Sequence, residues 1–196
     1  RGVFFFFEAD MWVRSELVTG PTDEQITLAE AKAHLRVDSN DEDAYIYALI
    51  SVARDAAESA CARRFGAQSW KLYFDDFERI KLHGCGQVSS ATLYWRDQNG
   101  AWQALTATQY EIVKSLPASV FLNNTFSTPT TGNYAEIVRV DVSCGETAPR
   151  GVKQWMLLRI ASLYEQREDM VVGAGITSNA TLFVPQLLEP HRVIDF

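Results

Sequence analysis

Two helical repeats far apart in the chain constrain its fold more than any other feature. From Asp41 to about Arg64, Tyr45, Leu49, Val52, Ala56 and Ala60 recur at helical spacing, and Ile46, Ile50, Ala53 and Ala57 widen the apolar stripe. An ideal helix of that span is roughly 36 Å long. The segment "VKQWMLLRIASLYEQRE" (152–168) carries the second repeat. Val152, Met156, Ile160, Leu163 and Tyr164 form one line on it, and Trp155 with Leu158 another. A helix apolar over so much of its girth is either central to a core or shared with a neighbouring subunit. The two rods must clasp each other around whatever the intervening chain builds.

That intervening chain reads as strands. "WKLYF" (70–74), "IKL" (80–82), "SATLYW" (90–95), "YEIV" (110–113) and "EIVRVDV" (136–142) are short, β-branched or aromatic, and broken by turn signals. Asn99-Gly100 marks a hairpin between "LYWR" and "AWQAL". The expected fold class is α+β: a helical bundle of an N-terminal helix pair and a C-terminal long helix, with an inserted antiparallel β module. The boundaries follow: an irregular arm over 1–25, the bundle over 26–66 and 149–180, the β module over 67–148, and a tail over 181–196.

The acidic run "VDSNDEDAYIYALI" (37–50) raises the question of a metal loop. Counted from Asp38, an EF-hand needs glycine at its sixth position and a bidentate glutamate at its twelfth. Those positions are Asp43 and Leu49, so that reading fails. A helix start accounts for the run, with Ser39 and Glu42 spaced as a capping box and Asp41, Glu42 and Asp43 meeting the positive end of the dipole. Thr27 and Glu30 repeat the arrangement upstream, with Ile26 placed as a hydrophobic staple, and open a short helix to about Arg36. Pro149 sits where a first helical residue belongs, ahead of the last long helix.

The 196 residues are 47% hydrophobic, enough for one real core. A net charge of −7 and a pI near 5.0 argue against gripping nucleic acid by its phosphates, though not against letting DNA pass. Three cysteines without CxxC spacing fit a reduced cytoplasmic chain. No run of residues reaches membrane-span length. The opening "RGVFFFFEAD" is either a start-site artefact or an apolar arm that docks on a neighbour.

Chemistry finds little foothold. There is no P-loop, no G-x-S-x-G and no HExxH. "GCG" (84–86) and "GAG" (173–175) lack the rest of a dinucleotide fingerprint. His83, Cys85 and Cys144 are the best metal candidates, but their spacing fits no zinc template. Asp75 and Asp76 read as a solvated turn, and His34 as a surface or capped residue. Trp70, Tyr73, Trp95 and Trp102 read as sheet core, with too few interleaved cations for a stacking platform. No catalytic, cofactor or metal residue is assigned, and no cofactor is expected.

Taken together, several segments resemble phage head–tail connector proteins of the gp6-like type. "ITLAEAKAHLRVDSNDEDAYIYALISVARDAAES" (26–59) is similar to that family's "IT-L-E-A-K-x-H-L-R-V" helix, acidic break and "D-x-x-I-x-x-L-I-x-x-A-R-x-x-A-E" helix. Trp70 with its strand, "VKQWMLLRIASLYEQRE", and "LLEPHRV" near the end fit in the same order. Departures are "CARRFG" in place of a "T-G-R", and "HGCGQVSS" in place of a proline-rich loop.

The resemblance implies a structural adaptor in the virion neck. It would form a homo-oligomeric ring, with the portal's twelve-fold symmetry, that extends the DNA channel and docks a stopper or tail. A gene transfer agent would use the same part. The implied partners are the portal protein, a stopper or tail-completion protein, and DNA passing without sequence-specific contact; no membrane is involved. The C-terminal "FVPQLLEPHRVIDF" is the candidate portal contact through Pro185, Leu187, Leu188, Pro190, His191, Arg192, Val193, Ile194 and Phe196, against the alternative that it folds back on its own bundle. Tyr45, Leu49, Trp155, Leu158 and Tyr164 are the inter-subunit candidates. Competing readings are another neck or tail ring, such as a stopper or tail terminator, and a metal-dependent hydrolase using His83, Cys85 and a carboxylate.

Overall fold

The computed structural model describes residues 13–78, 80–124, 126–166 and 186–193. The chain divides into two compact units. One takes residues up to Gly20 together with Gln68–Cys144, and the other takes Pro21–Ala67 together with residues from Gly145 onward.

The helical unit holds α1 (Leu28–Leu35), α2 (Asp43–Cys61) and α3 (Arg150–Glu165). Helix α1 starts as its sequence dictates. The Thr27 hydroxyl accepts the Glu30 N–H at 3.2 Å and the Glu30 carboxylate accepts the Thr27 N–H at 2.8 Å, while Ile26 is buried beneath. The Thr27 backbone N–H, then its hydroxyl, hold the Glu30 carboxyl below its ordinary value of 4.5. Thr27→Ala is therefore expected to cost about 1 kcal/mol in denaturant unfolding at neutral pH. A depressed carboxyl contributes stability that is present above 4.5 and lost as pH falls through its folded value, so the gap between the two proteins should shrink in acid.

Helix α2 starts differently from expectation. Glu42 is its N-cap with no side-chain cap, and the Ser39 hydroxyl accepts only the Asp41 N–H, at 3.4 Å. Lys32 of α1 takes over the acidic run, reaching Asp43 at 2.6 Å and Asn40 at 2.7 Å. The inward stripe is Ile46, Ile50, Ala53, Ala57 and Cys61, all fully buried, whereas Val52 and Ala60 are exposed. It meets Val152, Met156 and Ile160 of α3 in one core. Its alanines let the α3 side chains sit close. Pro149 is the N-cap of α3 and not its first helical residue.

The β unit contains two antiparallel sheets. One orders β1 (Arg14–Thr19), β2 (Gln68–Phe74), β8 (Val138–Cys144), β4 (Val88–Arg96) and β5 (Trp102–Ala104); the other orders β3 (Ile80–Leu82), β7 (Ala118–Leu122) and β6 (Tyr110–Val113). Strand β8 alternates strictly, turning Val138, Val140, Val142 and Cys144 into the core. In register beside Val140 stand Leu72 and Leu93. The 97–101 turn closes with the Asp97 N–H on the Ala101 carbonyl at 2.9 Å and the Gly100 N–H on the Asp97 carbonyl at 3.0 Å. Two strands depart from the sequence reading. β1 lies inside what reads as an irregular arm, and β7 lies in a part of the β module to which no strand is assigned from sequence.

Candidate interaction surfaces

The described part of the C-terminal segment, 186–193, seats on its own helical unit. Leu188 is buried in the core, Leu187 is half-buried against it, and the Val193 N–H donates to the Cys61 carbonyl at 2.9 Å. A 3-10 turn, Glu189–His191, carries Pro190 near its start, and Arg192 pairs with Glu189 at 3.0 Å. The segment passes close to Gly151, where a Cβ would stand 3.2 Å from the Leu187 carbonyl oxygen and 3.3 Å from the His191 ring. Folding back is thus the outcome for these residues. Leu188 is buried in this chain, while Pro190 and Arg192 stay exposed. Pro185, Ile194 and Phe196 lie outside the described residues, as does the phenylalanine run.

Of the inter-subunit candidates, Leu49 and Trp155 are only 8% and 9% exposed because both fill the helical core. Tyr45 and Tyr164 are half-buried against each other, ring centroids 6.1 Å apart. The Tyr164 hydroxyl donates to Glu42, tying the start of α2 to the end of α3. Leu158 alone among the five faces outward. The large apolar side chains that do face solvent on α2 are Tyr47 and Val52, each more than half exposed. Periodicity had placed Val52 in the apolar stripe but offered no sign that Tyr47 would be bare.

A charged cluster sits inside the same unit. Arg54 pairs with Glu24 and with Asp55 at 2.9 Å, and its Nε lies 3.9 Å from Glu58. Glu58, 4% exposed, also accepts the buried Phe65 N–H at 2.8 Å and meets Arg64 at 3.3 Å. Burial would pull the Arg54 guanidinium down, but Asp55, Glu24 and Glu58 together hold it raised. Burial pushes the Cys61 thiol up to about 11, which keeps it from acting as a thiolate.

The outer face of the five-stranded sheet is capped by arginines. Arg14 lies 3.8 Å over the Tyr73 ring and Arg139 lies 4.1 Å over Tyr94. Their charges are met by Glu136 at 2.8 Å and Asp141 at 2.8 Å. Trp70 and Trp95 pack on the core as read; Tyr73 is also buried, though on the opposite face of the sheet, where the half-buried Trp102 lies 5.9 Å away. Paired arginines over aromatic rings make a braced surface and not a free basic groove. Among the described residues no three His, Cys, Asp or Glu gather as a metal site, and Cys85 and Cys144 are buried in the β unit. No described helix is long and apolar enough to cross a membrane.

Residues 25–119 match the family model of the phage gp6-like head-tail connector protein. Over that stretch, just under half of its length, the chain is similar to the family. That family is one of head–tail connector proteins. No curated protein sequence matches the chain. Its fold is shared with chains in solved particles of a gene transfer agent (GTA), each covering 93% of this chain. The "Neck of empty GTA particle computed with C6 symmetry" gives a TM-score of 0.74 at 20% identity over 97% of that chain. The "Virion of native gene transfer agent (GTA) particle" gives 0.71 at 19% over 96%. The "Neck of native GTA particle computed with C12 symmetry" gives 0.68 at 20% over 97%. At such identity the likeness is one of fold.

Proposed function

We propose that the chain is a structural connector of the virion neck. It closes into a homo-oligomeric ring beneath the portal, twelve-fold like the neck it resembles in fold, and there extends the DNA channel and docks a stopper or tail. The family match over residues 25–119 carries this reading. Heterologous contacts between identical copies close into rings, and apolar side chains left bare on α2 and α3 supply surface for them. The net charge of −7 suits a channel through which DNA slides without being held.

The portal contact falls to the exposed side of the described C-terminal segment, Pro190 and Arg192 with His191 and Val193. Leu187 and Leu188 position that segment from beneath. Particles made without the connector are expected to be DNA-filled heads without tails when viewed by negative stain. The purified chain should bind portal and stopper proteins in pull-down experiments. Binding to tail-tube protein in place of portal would make it a tail terminator and overturn the adaptor reading.

A further inference from the structure

Resting on that ring reading, we propose that the helical unit carries both halves of its own self-association site: the outer face of α2 in one copy receives the outer face of α3 in the next. On α2, Ala44, Ala48, Ser51 and Asp55 share one line along the helix, with Tyr47 and Val52 on its two banks. Tyr47 is 56% exposed and Val52 51%. A helix face turned to water ordinarily carries Lys, Arg and Glu. Over these three turns the exposed residues include a single charge, Asp55. The outward line is thus made of small side chains, with a large apolar one on each flank.

Helix α3 presents the converse pattern. Leu158, 37% exposed, stands between Gln154 and Ser162 on its outward line, so one apolar knob projects where α2 offers small side chains. Small residues on the receiving helix allow axes to approach to roughly 8–10 Å. Charge runs the same way. Exposed Arg150 and Arg159 of α3 make no ion pair with any described residue, and the Asp55 carboxylate on α2, although it meets Arg54 at 2.9 Å, stays 68% exposed. Small-residue line and knob, acid and base lie on different faces of one chain. Each copy can therefore give one face and receive the other, which is the heterologous contact that a ring requires. The occupant of each face is thus a second copy of this chain and not an unrelated partner.

Engineered disulfides test the pairing directly, since Cys61, Cys85 and Cys144 are all buried. Full-length chain carrying both Ser51→Cys and Leu158→Cys should give a ladder of linked multimers on mild oxidation. Each single variant should stay monomeric on non-reducing gels, and a mixture of the two singles should stop at a dimer. Ala48→Arg, which sets a long side chain on the small-residue line, should abolish self-association in sedimentation. Self-linking of Ser51→Cys alone would reveal a two-fold contact and overturn the proposal. No ladder from a double variant whose parent sediments as an oligomer would overturn the pairing and leave the ring reading standing. A parent that remains monomeric, with no ladder, would sink both.

Discussion

Glu58→Ala is expected to lower the unfolding free energy of the helical unit by about 3–5 kcal/mol, the range for breaking a buried charged cluster on one side. The carboxylate is almost fully buried; it accepts from the Phe65 N–H at 2.8 Å and from Arg64 at 3.3 Å, and the Arg54 Nε lies within ion-pair reach at 3.9 Å. Its removal takes the Glu58 acceptor away from the Phe65 N–H and leaves Arg54, 9% exposed, short of one counter-charge. Desolvation of such groups costs several kcal/mol when their partners vanish. Glu58→Gln keeps an acceptor for Phe65 and should recover part of the loss. Chemical denaturation followed by circular dichroism at the helical band checks both, and a loss below about 1 kcal/mol for the alanine variant would show that the cluster is a spectator.

The cluster also marks where reading from sequence stops. Arg54 and Glu58 are four apart on a helix, the spacing of an ordinary solvated pair, and only the return of Glu24 over Arg54 and of Arg64 beneath Glu58 turns them inward. Helical period reveals that α2 has an apolar stripe but not which edge of a wide stripe faces the core. Ile46 and Ile50 are there, one residue round from Leu49, and Val52 is left outside. The rods themselves, the capping box at Thr27 and the alternation of β8 were legible because each depends on residues near in sequence. Strand β1 was not, since all six of its residues are exposed and its pairing to β2 is settled by a partner far along the chain. β7 hides between Pro117 and Asn123, whose turn chemistry outweighs a short run that is apolar but for Ser119. The surfaces proposed for assembly were half legible for the same reason: Leu158 stood out as an apolar residue off the main line, and Tyr47 became visible only once the core had claimed its neighbours.

Gly145→Ala should be the most damaging single-methyl change in the protein, costing at least about 3 kcal/mol. The glycine holds φ near +122°, in a region that side-chain-bearing residues avoid. A Cβ built on it would lie 1.9 Å from the Gly66 carbonyl oxygen and 2.7 Å from the carbonyl carbon, both backbone atoms that have no rotamer to escape into. That carbonyl belongs to a segment pinned on both sides. The Gly66 N–H donates to the Glu146 carbonyl at 2.9 Å, and the Glu146 N–H donates to the Arg64 carbonyl at 3.1 Å. Arg63 meets the Glu146 carboxylate at 3.0 Å alongside. A methyl group must therefore push apart the stretch following α2 and the stretch preceding α3, and with them the helical core that Phe65 and Ala148 help to close. Gly20→Ala supplies the control, because a Cβ there meets nothing within 4 Å and its backbone is not left-handed; its effect should stay within about 0.5 kcal/mol. Equal thermal midpoints for the two variants would mean that the close approach of the chains at Gly66 and Gly145 yields freely, and that the tight crossing beside the helical core contributes nothing to its stability.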